Sequence, residues 1–224
     1  LANNDRAAIA NQVRQVAFWI MAAQGGLALM GSIPGEAVMG VVGPQFVAGT
    51  AALAFLLTAE VLASTGAVSE SALVYIARHR NLMISAAMLA FQVGLSFALI
   101  FAIRALGYPV NYQAAGPAIA LMLSVALTSV IKSKLLGHLL GANVSPWRWP
   151  LVWAALAAIV VGAGFTALPK RYEWVELAVG EPAIAATYLY ILWKYAFGPA
   201  DRALFAKKPE TVEPTLPQTG SAIL

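Results

Sequence analysis

The stretch from Phe46 to Asn81, FVAGTAALAFLLTAEVLASTGAVSESALVYIARHRN, constrains the fold more than any other part of the chain. At the usual helical rise, a helix from Phe46 to Ala77 would be about 48 Å long. The hydrocarbon layer of a bilayer is only about 30 Å thick. Such an element must cross a membrane and then project into the interface, bend, or do both. It carries Glu60 inside its apolar run, softens at Ser64, Thr65 and Gly66, gains a second acid at Glu70 and ends in Arg78, His79 and Arg80. The whole chain fits this picture, because 60% of its 224 residues are hydrophobic and only 11% are charged. A mean hydropathy of +0.75 lies far outside the range of soluble domains. Backbone groups in lipid must be satisfied internally, so the expected fold class is all-α, a polytopic transmembrane helix bundle.

Taken in order, residues 1–15 read as a polar cytoplasmic segment with Arg6 and Arg14 flanking the first span. That opening has no charged, apolar and cleavage regions in sequence, so it is not a signal peptide, and it reads as the middle of a longer protein. The first span runs from Val16 to Ile33, with Pro34 and Gly35 closing it and a kinked extension to Val42. The second is the 46–77 stretch, the third Leu82 to Ile103, and the fourth Gly116 to Leu136. The fifth covers Pro150 to Leu168 and the sixth Trp174 to Phe197. Residues 16–141 thus form a four-helix unit and residues 142–200 two appended transmembrane helices. The Pro-, Thr-, Glu- and Lys-rich tail, 201–224, is expected to be disordered.

Six spans put both ends on one side of the membrane. The segments on that side hold eleven Lys and Arg residues, and the alternate segments hold only Arg104, Lys170 and Arg171. Basic residues concentrate on the cytoplasmic side, so both ends are expected there. The net charge of +4 is then a topology signal with some attraction to membrane lipids, and a nucleic-acid partner is excluded. Trp147, Trp149, Tyr172 and Trp174 fall at the expected boundaries, as interfacial aromatics do. The absence of cysteine removes disulfides, thiolate metal sites and thiol catalysis.

Few residues could carry chemistry. Glu60 lies about 21 Å along its helix from Phe46, in the inner half of the hydrocarbon layer. An ionised group there costs on the order of 2.5 to 3.5 kcal/mol unless it meets protein or water. Ser64, Ala67 and Ser71 share its helical face, so that face reads as a cavity wall or ion-coupling site. The alternative is a Glu60 that is protonated or hydrogen-bonded between packed helices. Glu70, about 36 Å from Phe46, falls beyond the hydrocarbon. It reads as an interface residue near Arg78 or Arg80. Arg78 and Arg80 are topology anchors first, with a cytoplasmic gate or headgroup contact as the second reading. Glu181 precedes Pro182, which should bend the sixth span. It either lines a groove there or snorkels outward with Glu173 and Glu176. Gln92 reads as an interhelical amide, and Gly25, Gly26, Gly94, Gly162 and Gly164 as sites of close helix approach. His79 sits between two arginines and His138 has no neighbouring ligand, so neither a metal nor another cofactor is expected. No nucleophilic triad, paired-acid site or phosphate-cradling loop is visible, and no catalytic residue is assigned.

The order of these motifs resembles a family, the polysaccharide biosynthesis exporters and O-antigen flippases of the multidrug/oligosaccharidyl-lipid/polysaccharide exporter superfamily. Gly43 to Phe46 is similar to the family's Gly-x-x-Phe opening of a span. The Leu73 to Asn81 stretch looks like its long helix ending in a basic turn. Gln92 stands where the family has a mid-membrane Asn, and Gly116 to Ala120 resembles its Gly-Ala-Ala-x-Ala, with Pro117 in place of an Ala. His79 replaces the turn's usual Pro, and the 104–115 loop is longer than the family's. The resemblance covers about Val16 to Leu140. It implies a transporter of the bacterial inner membrane, with two lobes around a cationic cavity and alternating access for an isoprenoid-linked oligosaccharide. The chain would supply the last six helices, the N-terminal lobe lying outside it. A membrane enzyme of glycan assembly, such as a polymerase or acyltransferase, would need a long outer loop bearing acids, His or Arg. The outer loops here are short and nearly uncharged. A scaffold subunit and a drug exporter of the same superfamily remain the other readings.

Overall fold

The computed structural model describes residues 3–168 and 173–203, and all regular structure among them is helical. Lys170, Arg171, Tyr172 and the 204–224 tail, which carry parts of the topology and disorder expectations, lie outside the described residues. Helix α1, Asn3–Ser32, begins well before the expected span. The segment read as a polar lead, 1–15, is therefore the first part of this helix where it is described. The physical reason is Ala10, which is buried in an apolar cluster with Leu73, Leu136, Leu140 and Val144. Pro34 then breaks the ladder, and α2, Gly35–Val42, leaves at 75°.

Gly43 turns the chain with φ 157° and ψ 144°, a conformation open essentially to glycine alone. A 3₁₀ turn, Pro44–Gly49, leads into α3, Thr50–Ile76. This long helix is an unbroken α-helix, and no softening appears at Ser64 to Gly66. Both residues are packing positions instead: Gly66 lies against Ser129, and the Ser64 hydroxyl donates to the Val61 carbonyl at 2.6 Å. A single non-helical residue, Ala77, separates α3 from α4, Arg78–Ala105. A short α5, Val110–Gln113, precedes α6, Ala115–Leu140, which ends on the left-handed Gly141. Residues 142–148 form an extended strap to α7, Trp149–Thr166.

The last part, 173–196, is helical throughout. Its α8, Glu173–Val175, and α9, Glu181–Ile191, alternate with π turns at Glu176–Gly180 and Leu192–Ala196. Pro182 has no N–H to give, and the widened turn just before it absorbs the lost register. The helix α10, Pro199–Ala203, follows. The tail boundary at residue 201 therefore needs correction, because Asp201 is buried within the fold.

Four helices are long and apolar enough to cross a membrane, the 44–76, 78–105, 115–140 and 149–166 stretches. The bent pair α1 and α2 makes a fifth if it counts as one span. The four-helix unit centres on α3, which packs along α6 and α1, while α4 covers the other side of α6. The appended helices α7 and α9 pack on each other and on α1 through Phe18, Ala154, Ala158, Ile184 and Tyr188. Gly162 lets Ile33 and Ile184 approach, and Gly25 and Gly26 sit beneath Tyr188. Gly94 and Gly164 face open space, so they are not the close-approach sites expected.

These contacts fix the relative directions of the helices. The start of α1 meets the ends of α3 and α6, and Gln15 and Trp19 meet Asp201 of α10. Both described ends therefore lie at one end of the bundle, together with the α3–α4 corner and the start of α7. That end also collects Arg6, Arg14, Arg78, Arg80, Lys132, Lys134, Arg148, Lys194 and Arg202. It is termed the basic end below.

Candidate functional site

The polar residues of the four-helix unit converge between α3, α4 and α6. Helix α6 presents Ser124, Ser129 and Lys132 on its buried face, toward α3 and α4. The Lys132 ammonium lies 2.8 Å from the Glu70 carboxylate and donates to Ser85 Oγ at 2.9 Å. Only 3% of the Lys132 side chain is exposed, against 44% for Glu70. Asn81, at the start of α4, donates its amide to the other Glu70 oxygen at 3.4 Å. Its own carbonyl oxygen is buried and has no hydrogen-bond partner. Around this pair, Ser129 donates to the Leu62 carbonyl and Ser124 to the Met88 carbonyl, while the Ser69 and Ser133 hydroxyls meet at 3.1 Å. A groove of about 300 Å³ opens over the ion pair, and Gln92, Thr128 and Gly66 also line it.

Two sequence expectations change here. Glu70 was expected near Arg78 or Arg80, but its ionic partner is Lys132. The reason is directional: Arg78 and Arg80 stand exposed on the first turn of α4, whereas Lys132 points into the seam where α3 ends. Lys132 is one of the eleven basic residues counted to the cytoplasmic side, although the expected fourth span, Gly116 to Leu136, contains it. It lies eight positions before the end of α6, so about 12 Å inside the helix.

The other candidates do not gather. Glu60 is exposed on α3 and lines none of the grooves described here. Ser64 is buried and points to its own backbone, so among the described residues Glu60 and Ser64 share no wall of these grooves. Gln92 does reach the polar groove. Glu181 is half-buried at the π turn before Pro182, remote in the fold from the Glu70–Lys132 pair.

A second polar cluster ties the appended helices to α1. Arg148 donates to Asp201 at 2.6 Å and to the Ala196 carbonyl at 2.6 Å, and its guanidinium lies 3.7 Å above the Phe18 ring. Asp201 also accepts from Gln15, Trp19 and the Gly198 amide. Burial alone would raise the Asp201 carboxyl, but Arg148 and the Gly198 amide outweigh it and hold it below the usual carboxylate range. Sequence reasoning missed both clusters. The signal within reach was depth: Lys132 lies as deep in its helix as an intramembrane cation must to require a partner.

An ion pair surrounded by hydroxyls and amides can bind a polar or charged group, or open when one member is neutralised. Among the described residues no three His, Asp or Glu side chains gather as a metal site would need. Comparison with known protein families, curated proteins and solved structures gave no match.

Proposed function

We propose that this chain is the C-terminal part of a six-span-ended transporter, with both ends cytoplasmic, that moves a lipid-linked oligosaccharide across the bacterial inner membrane by alternating access. The observation that carries the proposal is the Glu70–Lys132 pair, an enclosed ammonium against a half-open carboxylate, with hydroxyl and amide neighbours between α3, α4 and α6. Intramembrane ionisable groups are costly and mark transport pathways. The motif order from Gly43 to Ala120 supports the same reading. The sixth span would be the 173–196 run, its two π turns tolerated because neighbouring helices cover them. The bias of basic residues to one end supports a cytoplasmic position for that end.

In this mechanism α3 is the moving rod, from the Gly43 turn to the Arg78 and Arg80 corner, and the Glu70–Lys132 pair holds it to α6 and α4 in one state. Glu60 then faces the N-terminal lobe of the same protein, which relieves the cost of an acid turned to lipid. The test uses the full-length protein in cells that depend on it for surface glycan. Lys132→Gln is expected to lower surface glycan on the order of tenfold at an unchanged membrane level of the protein, a loss of about 1.4 kcal/mol in the transport step. Wild-type glycan display by that variant would overturn the assignment.

A further inference from the structure

A second feature of the bundle lies away from the ion pair, along the seam between the four-helix unit and α7. Two cavities, about 490 and 310 Å³, adjoin there and share Met21, Leu62 and Trp147. They form one groove between α1, α3, α6 and α7, open to the side along its length. Its deeper part is apolar. Its mouth, at the basic end, carries Lys134, Asn143 and Ser145. Lys134 is exposed, and neither cavity is lined by an acid. Asn143 and Ser145 belong to the extended strap after Gly141, where the Ser145 amide donates to the Asn143 side chain at 2.9 Å. Trp147 closes the mouth as an interfacial aromatic.

We infer that this groove is a binding site for an anionic phospholipid, with one acyl chain lying between α1, α3, α6 and α7 and the phosphate at Lys134. Three features specify the occupant. A laterally open apolar cleft facing hydrocarbon is filled by lipid chains, because no water is available to fill it. From Met21 to Ser32 along α1 the apolar part runs about 16 Å. That is close to half of the ~30 Å hydrocarbon layer, the reach of a chain from a single leaflet. The exposed ammonium at the mouth, with no acid lining either cavity among the described residues, selects an anionic headgroup, as basic pockets between membrane helices do. The strap gives the headgroup polar contacts, and the site joins the appended helices to the four-helix unit through a lipid. This assignment rests on the groove alone and stands whether or not the chain moves oligosaccharide.

The experiment is native mass spectrometry of the full-length protein, released from nanodiscs holding equal phosphatidylglycerol and phosphatidylcholine. Wild type is expected to retain phosphatidylglycerol over phosphatidylcholine by at least fivefold. Lys134→Gln should abolish that preference while still retaining lipid. Ala155→Trp, which fills the apolar part, should lose both lipids, with an unchanged helical circular dichroism spectrum showing that the variant is folded. Equal retention of the two lipids by wild type, or an unaltered preference in Lys134→Gln, would overturn the inference. So would a polyprenyl phosphate found in place of phospholipid in protein taken directly from cell membranes, since the groove would then belong to the carrier.

Discussion

At the residue scale, the two charge pairs differ in which partner is buried, and that difference sets the consequence of breaking each. Lys132 is almost fully enclosed and Glu70 is half open. Removing Glu70 leaves a buried ammonium with only Ser85 for company, whereas removing Lys132 leaves a carboxylate that can reach solvent or headgroups. Glu70→Ala is therefore expected to cost about 3 kcal/mol and Lys132→Ala distinctly less, read as thermal unfolding in detergent. The double variant Glu70→Leu/Lys132→Met should recover most of the loss, since no charge is left uncompensated. At the Arg148–Asp201 clamp the burial is reversed, and its protonation is the lever. The Asp201 carboxyl is held low, so its contribution is present above the ordinary aspartate range and is lost as pH falls through its lowered folded value. The gap in melting temperature between wild type and Asp201→Asn should be constant near pH 6 to 7 and should close as the pH is lowered below about 4. A gap that persisted into acid would show that the clamp does not depend on the carboxylate.

At the element scale, α3 and α6 form the axis of the four-helix unit, and Gly66 sets their separation. A Cβ at that position would lie 2.6 Å from Ser129 Oγ and 3.2 Å from Ser129 Cα, so backbone as well as side chain would have to move. Gly66→Val should push α3 from α6 and destabilise by about 1 to 3 kcal/mol, with Gly94→Val, which meets open space, as the neutral control. The same two helices show what hydropathy and spacing reveal. Apolar run length located the four helices long and apolar enough to cross a membrane, and the bent α1–α2 pair. Local chemistry located the break at Pro34, which has no amide to donate, whereas the glycine-only conformation of Gly43 and the Gly141 cap of α6 come from the structure. The direction of each helix's polar face was not legible, because the moment of these helices is small when lipid and protein both present apolar surfaces. Glu60 and Ser64 were placed on one wall by a 100° rotation, yet Ser64 is buried with its hydroxyl on its own backbone while Glu60 stays exposed. Lys132 was counted as a topology marker because it lies near the end of a span. Only the register of α6 against α3 and α4 turns it inward. Asp201 was assigned to the tail because the tail is polar, and its burial depends on Arg148, fifty-three positions earlier.

At the scale of the whole molecule, the contacts that gather the start of α1, the Ala77 corner, the Gly141 cap and α10 at one end make a claim about orientation that can be measured directly. These 224 residues contain no cysteine, so each added cysteine is read against the same protein without it. Ala77, Gly141 and Gly43 sit at breaks between helices, as does Gly107, a left-handed glycine after α4. Bundle geometry places Ala77 and Gly141 together at the basic end, and Gly43 and Gly107 at the other. In intact cells, a membrane-impermeant maleimide should label Gly107→Cys and Gly43→Cys. Ala77→Cys and Gly141→Cys should react only after the membrane is opened. The positive φ of Gly43, Gly107 and Gly141 makes Cys strained there, so Val42→Cys, Leu106→Cys and Ala142→Cys are the paired positions that keep the backbone relaxed. Labelling of all four sites from one side would refute the alternation of α3, α4 and α6 through the membrane. The reverse pattern would keep the bundle intact but turn it over. The basic end would then face outward, against the charge bias that eleven Lys and Arg residues impose.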